Sequence, residues 1–219
     1  MPRRQPRLPE LTLRLIGVGA LLVVAAHLLQ SALIRPLLPV FGGTVVLLAP
    51  QFTLQSLDLV PAQAPMVRAR ANLLEPVEFA GHTAVPIGWL GQTPQGGFEV
   101  SQSLTGLLQY PTLVMLIVLA WPASDLAILI LRVAIGLAMA ALLLLCEAPM
   151  TIVAELWSLV RDQAAPGAAC FWMIWSRFLM GGGGLLIAGI LGATAVIVAQ
   201  RKDGAPSQPS DHRSVIFHG

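Results

Sequence analysis

Gly184-Leu185-Leu186-Ile187-Ala188-Gly189-Ile190-Leu191-Gly192-Ala193-Thr194-Ala195-Val196-Ile197-Val198-Ala199 is the centre of a stretch of 23 residues between Arg177 and Arg201 that carries no formal charge. A hydrocarbon core about 30 Å thick is crossed by roughly 20 apolar helical residues, so this stretch is long enough to span one. Outward from it, Arg14 and Arg35 enclose 20 uncharged residues, and Glu99 and Asp125 enclose 25. A further apolar run from Leu126 to Ala148 is interrupted only by Arg132 until it meets Glu147. The chain reads as a polytopic membrane protein.

Composition agrees. The 219 residues are 56% hydrophobic and 11% charged, with a mean hydropathy of +0.76, whereas a soluble domain carries about 25% charged residues. A net charge of +2, with no basic stripe interleaved with aromatics, argues against nucleic-acid binding. Twelve of the thirteen basic residues are Arg, which together with the Ala, Leu, Gly and Pro load associates the chain with a GC-rich bacterial genome. Arg3, Arg4 and Arg7 before an apolar run also fit a secretory signal. The run is longer than a usual signal core and ends at Ser31-Ala32-Leu33-Ile34-Arg35-Pro36, a poor cleavage site, so a retained anchor is expected.

Arginine placement orients the spans. Arg3, Arg4, Arg7 and Arg14 precede the first, and Arg201, Lys202 and Arg213 follow the last. Positive residues stay on the cytoplasmic side, so both ends are expected there and the number of crossings is even. The expected fold class is a mainly α membrane protein with four transmembrane helices, a small periplasmic β-rich insert and an interfacial helix. A basic cytoplasmic N-terminus at 1–12 leads to transmembrane helices at 13–34, 104–123, 126–148 and 177–200, and a disordered cytoplasmic tail follows at 201–219. The expected location is the bacterial inner membrane, multi-pass, N-in and C-in. Arg132, close to the cytoplasmic end of its span, is expected to snorkel to the interface.

Between these spans the pattern is less uniform. Residues 35–51 are apolar but interrupted by Pro36, Pro39, Gly42, Gly43 and Pro50, and suit an interfacial or re-entrant segment. Residues 52–103 hold short alternating runs, clearest at Val67-Arg68-Ala69-Arg70-Ala71, separated by Pro and Gly turns. They predict a small antiparallel sheet too thin to bury its own core, and therefore one packed on a helix or a partner. Across 149–176, Ile152, Val153, Leu156, Trp157 and Val160 fall at helical spacing. That stretch fits a periplasmic interfacial amphipathic helix or a prolonged third span kinked at Pro149.

No catalytic, cofactor-binding or metal-ligating set stands out. There is no Gly-x-Ser-x-Gly, His-Glu-x-x-His or Walker lysine. Gly184, Ala188 and Gly192 repeat every four residues and predict close helix packing, inside the chain or against a partner. His27 lies inside the first span, where a polar group is a functional candidate or bonds a neighbouring carbonyl. Glu147 and Arg177, near the periplasmic ends of their helices, are placed to pair or to snorkel. Cys146 and Cys170 are too few for a disulfide framework; they are open to one bridge or to two free thiols.

The layout of an Arg-flanked first helix, a Pro-rich apolar segment, a β-rich insert and three further helices resembles the small membrane proteins associated with exosortase H. Leu107-Leu108-Gln109-Tyr110-Pro111 and Phe178-Leu179-Met180-Gly181-Gly182-Gly183 carry the local likeness. The first of these departs from the Asn-Pro-Leu-Leu-Tyr-Gly-like opening of the second helix in that family. The resemblance implies a non-catalytic inner-membrane accessory of an exosortase-type transpeptidase, acting on proteins with C-terminal sorting signals. Its partners would be the lipid bilayer and that transpeptidase. A small-solute transporter or channel component, and an intramembrane enzyme built on Cys146 or Cys170 with His82 and Arg177, are the competing readings.

Overall fold

The computed structural model describes residues 8–61, 64–79, 81–84, 97–123, 125–165, 168 and 170–203. Six α-helices and five strands follow in the order α1 (Leu8–Ile34), α2 (Leu38–Leu48), β1 (Phe52–Val60), β2 (Met66–Leu73), β3 (Val77–Phe79), β4 (His82–Ala84), β5 (Phe98–Ser103), α3 (Leu104–Ala120), α4 (Leu126–Ala164), α5 (Phe171–Phe178) and α6 (Gly184–Asp203). The chain is mainly helical, and three helical runs are long and apolar enough to cross a membrane: Thr12–Leu48, Leu126–Ala164 and Phe171–Arg201. Expectations for 1–7, for 85–96 and for the tail beyond 203 lie outside the described residues.

Four helix boundaries differ from those expected. The segment 35–51 is a direct continuation of α1 through a 3₁₀ turn at Arg35–Leu37 into α2. Its prolines do not break it, because Pro36 and Pro39 both fall at the first or second position of a helical piece. There the missing N–H has no intrahelical partner to lose. The span expected at 104–123 stops at Ala120 and is a 17-residue helix. Trp121 is extended, as the residue before a proline prefers to be. The span expected at 126–148 runs on without a break through Pro149 to Ala164, 39 residues in all, which is the prolonged third span and not an interfacial helix over 149–164; α5 starts only at Phe171. Finally, the run containing 177–200 is broken at Gly182, whose φ of +109° is open to glycine and strained for any other residue. α5 ends before that break and α6 begins after it.

At 1.5 Å per residue, α4 is about 58 Å long and the apolar run Thr12–Leu48 about 55 Å. Each is nearly twice what a bilayer core requires. Their extra lengths meet: α2 packs against α4 and against β1. β1 runs back along α2, with Leu54 and Leu57 against Gly42, and its far end at Leu59 and Pro61 reaches Ser31 and Arg35. β2 and β5 complete an antiparallel sheet of order β1-β2-β5, and β3 and β4 form a separate hairpin. β5 then hands the chain to α3, whose first amide, Leu104 N–H, donates to the Pro65 carbonyl.

The described residues form two apolar cores. The first lies between the inner sheet face (Phe52, Val67, Ala69, Ala71, Phe98, Val100), α2 (Phe41, Val45) and the second half of α4 (Ile152, Leu156, Val160). Phe52 is its hub, edge-on to both Phe98 and Trp157 at 6.2 and 5.4 Å. Beyond the sheet, β2 alternates strictly: Val67, Ala69, Ala71 and Leu73 are buried while Arg68, Arg70 and Asn72 point outward. A clean alternation of this kind marks a sheet with one face packed and one face wet. The second core is the helix bundle, in which α3 packs against α1, α4 and α6, with Val114, Ala140, Leu143 and Ala188 at its centre.

Arg132 differs from expectation as well. It is 1% exposed and does not snorkel. Its guanidinium turns back and donates to the Trp121 and Pro122 carbonyls at 2.8 and 3.3 Å, where α3 leaves its last acceptors unpaired. Asp125 caps the start of α4 from the same turn by accepting from Ile128 N–H at 2.8 Å. Arg132→Met keeps the apolar stem and leaves those carbonyls without their donor. The expected loss is about 1.5–3 kcal/mol, the worth of hydrogen bonds to a charged group, seen as a lower midpoint in thermal denaturation in detergent. An unchanged midpoint would show that the turn does not depend on this cap.

Candidate functional site

Two surfaces combine polar groups in a way that folding alone does not require. The first is the outer face and free edge of the sheet. Arg68 and Arg70 on β2 both reach Glu99 on β5, at 3.2 and 2.9 Å. Asp58 of β1 stands in register with Arg68. All are at least partly exposed, where ion pairs add little stability, so this face offers charge and hydrogen bonding to a partner. Among the described residues β1 pairs on one side only, with β2, and presents its other row of backbone groups unpaired. A bulge between Leu54 and Ser56 interrupts that strand.

The second surface is a groove of about 320 Å³ between α1 and α3, lined by Val23, Ala26, His27 and Gln30 on one side and Thr105, Leu108, Gln109 and Thr112 on the other. His27, which looked isolated in sequence, therefore has polar neighbours. Gln30 is only 6% exposed, whereas His27, Thr105 and Gln109 are exposed. None of the hydrogen bonds among the described residues uses the side chains of His27, Gln30 or Gln109. Sequence reading missed Gln30, Thr105, Gln109 and Thr112. The available signal was that each is a polar residue inside a run otherwise read as membrane-spanning.

The other candidate residues take different places. Gly184, Ala188 and Gly192 face α3. A Cβ built on Gly184 would lie 2.3 Å from the Tyr110 ring, one on Gly192 would lie 2.9 Å from Ile117, and Ala188 is fully buried. The seam is thus filled inside the chain, and its role as an outward docking surface is withdrawn. Of the two readings of Glu147 and Arg177, the pair is not made: Glu147 is buried in α4, with Oε2 unpartnered, and Arg177 is exposed on α5. Tyr110 Oη donates to the Leu179 carbonyl at 2.9 Å, tying α3 to the turn before α6. Cys146 is exposed, Cys170 is half-buried, and both are free thiols. Of His82 only the strand position is described.

One polar contact crosses the first core. Gln102 Nε2, on the inner face of β5, donates to Glu155 Oε1 on α4. Burial pushes the Glu155 carboxyl up to about 7 from its ordinary 4.5, against the opposing pull of the Gln102 bond. The folded chain therefore holds this proton where the unfolded chain has released it. Stability falls as pH rises from about 4.5 to about 7 and levels off above, the direction linkage requires for a raised carboxyl. Glu155→Gln removes that slope. Denaturation midpoints for both proteins at pH 5 and pH 8 check it, and an equal slope in the variant would assign the effect elsewhere.

Comparison with protein-family models, with curated proteins and with solved structures gives no match for this chain. Among the described residues no group of three or more His, Cys, Asp or Glu side chains is placed to hold a metal ion.

Proposed function

We propose that this chain is a non-catalytic, multi-pass accessory protein of the bacterial inner membrane that serves an exosortase-type sorting system. In this reading α1, α3, α4 and α6 cross the bilayer, both ends are cytoplasmic, and the sheet with α2 and the far half of α4 stands in the periplasm. The observation that carries it is the sheet-bearing half itself. It has its own core, a charged outer face built on Arg68, Arg70 and Glu99 and an edge strand open along one side among the described residues. Such an edge takes an extended segment by strand addition. The arginine distribution supports the orientation. α3, about 25 Å long at 17 residues, is at the short end for a crossing, and its packing between three longer helices supports its place within the membrane.

The test is photo-crosslinking from Thr53 and Asp58 in intact cells, with adducts identified by mass spectrometry. The expected adduct is a multi-spanning transpeptidase carrying Cys, His and Arg in its membrane domain. Recovery of this chain alone, as a homo-oligomer, would sink the accessory reading and favour a channel or transporter component. Impermeant thiol labelling of Asp58→Cys from outside the cell, with a Pro122→Cys variant protected, checks the orientation when both are made with the free thiols Cys146 and Cys170 replaced by Ser.

A further inference from the structure

Polar residues on the first helix form one line. His27, Gln30 and Ser31 recur at spacings that share a helix face, and Arg35 follows at the head of the 3₁₀ turn. The line joins the α1–α3 groove to a second hollow of about 360 Å³ lined by Ser31, Ala32, Arg35, Leu59, Pro61 and Pro65. The two hollows follow one another along α1, the second at the end of β1 and the first between α1 and α3, with Gln30 and Ser31 adjacent in the chain where one gives way to the other. From Arg35 to His27 this track descends about 12 Å along the helix, and from Thr105 to Thr112 about 10 Å. Between Leu15 and Ile34 the rest of α1 is apolar and open, with Leu21, Val24 and Leu28 all more than half exposed.

Side chains of this kind inside a bilayer ordinarily face protein. Here Gln30 is 94% buried (6% exposed), lines the groove, and finds no hydrogen-bond partner among the described residues. A polar group held in hydrocarbon without a partner is costly, so the track calls for an occupant that brings its own donors and acceptors. A phospholipid headgroup meets Arg35 at the membrane surface, but its polar atoms do not follow the line down past Gln30, about 8 Å below, to His27, about 12 Å below. A second copy, related by an axis along the membrane normal, would set Arg35 against Arg35. Arg35 has no ion pair among the described residues, which favours a carboxylate opposite it.

We propose that the α1–α3 track is a lateral docking groove for one transmembrane helix of a different membrane protein. That helix carries an amide, hydroxyl or carboxyl side chain within its outer half and an acidic residue at the surface opposite Arg35. The proposal rests on the membrane orientation given above. It adds an intramembrane contact to the one made by the sheet.

A photo-crosslinking residue at Ser31 tests it in intact cells, with Leu28, which points away from α3, as the control position. The expected adduct at Ser31 maps to a transmembrane segment of another protein with a polar residue in its outer half, and none forms at Leu28. Gln30→Leu is expected to lower the Ser31 adduct about fivefold, in line with the loss of an interhelical hydrogen bond. Gln109→Leu, at an exposed position that no packing depends on, repeats the test without risk to the fold. Adducts to lipid only, to a second copy, or equally from Leu28 would overturn the groove. So would full adduct yield in both leucine variants. If Ser31 fails while Thr53 and Asp58 still trap a partner, only the groove is lost; if all three fail, the accessory reading goes with it.

Discussion

Gly184→Leu is expected to cost about 3 kcal/mol, the upper end of what overpacking a well-filled site ordinarily costs. The Cβ alone would stand 2.3 Å from Cζ of Tyr110, well inside van der Waals contact, before the rest of the leucine is placed. The ring has little room to retreat, because its hydroxyl is committed to the Leu179 carbonyl at 2.9 Å. α6 must therefore move off α3, and the two-point attachment at Tyr110 and Ile117 is lost together. Thermal denaturation in mild detergent, followed by tryptophan fluorescence, measures the shift. Gly189→Leu is the control, since nothing lies within 4 Å of its Cβ, and should leave the midpoint nearly unchanged. Tyr110→Ala combined with Gly184→Leu should recover part of the loss. If the double variant is no better than the single one, Tyr110 is not the obstacle.

The parts of this architecture legible in the sequence are those set by periodicity. Alternation at Val67-Arg68-Ala69-Arg70-Ala71 places both arginines on the outer sheet face, and the spacing of Gly184, Ala188 and Gly192 marks a close helix contact. Prolines misled where their position in the helix mattered more than their presence. Pro36 and Pro39 look like breaks, yet both occupy first-turn positions that tolerate them. Pro149 suggests an end to α4, but apolar residues continue at helical spacing through Val160, and the sheet packs on that continuation. Tertiary packing keeps the helix whole.

Long-range partners were the least legible. Gln30 and Gln109 are far apart in the chain and meet only because α1 packs on α3. Gln102 and Glu155 likewise join only when β5 lies against α4. Arg132 lies near the start of its helix, as its place in the apolar run requires, but its route depends on the sharp turn at Trp121 and Pro122 that brings two carbonyls within reach. Length also deceived. An apolar run sets the minimum extent of a spanning helix, and says nothing of how far the helix continues beyond it, which for α4 is sixteen residues past 148.

Phe52→Ala should open the sheet-bearing half while leaving the bundle closed. Phe52 is 3% exposed and joins β1 to β5 through Phe98 and to α4 through Trp157. Truncating a buried Phe typically costs about 3–5 kcal/mol from lost transfer energy and the cavity left behind. Two edge-on ring contacts, each worth about 0.5–1.5 kcal/mol beyond burial, put this site toward the upper end. Phe52 is the aromatic side chain that touches both β5 and α4 within the core shared by the sheet, α2 and α4, so its loss opens that core at its centre. The bundle core at Val114, Ala140, Leu143 and Ala188 shares no residue with it. Hydrogen exchange on the full chain in detergent should therefore show protection lost in β1, β2 and β5 and kept in α3 and α6. Equal loss in α6 would mean that the two cores unfold as one. A partner bound at the sheet would then also be felt in the bilayer, because α4 runs through both cores as one helix.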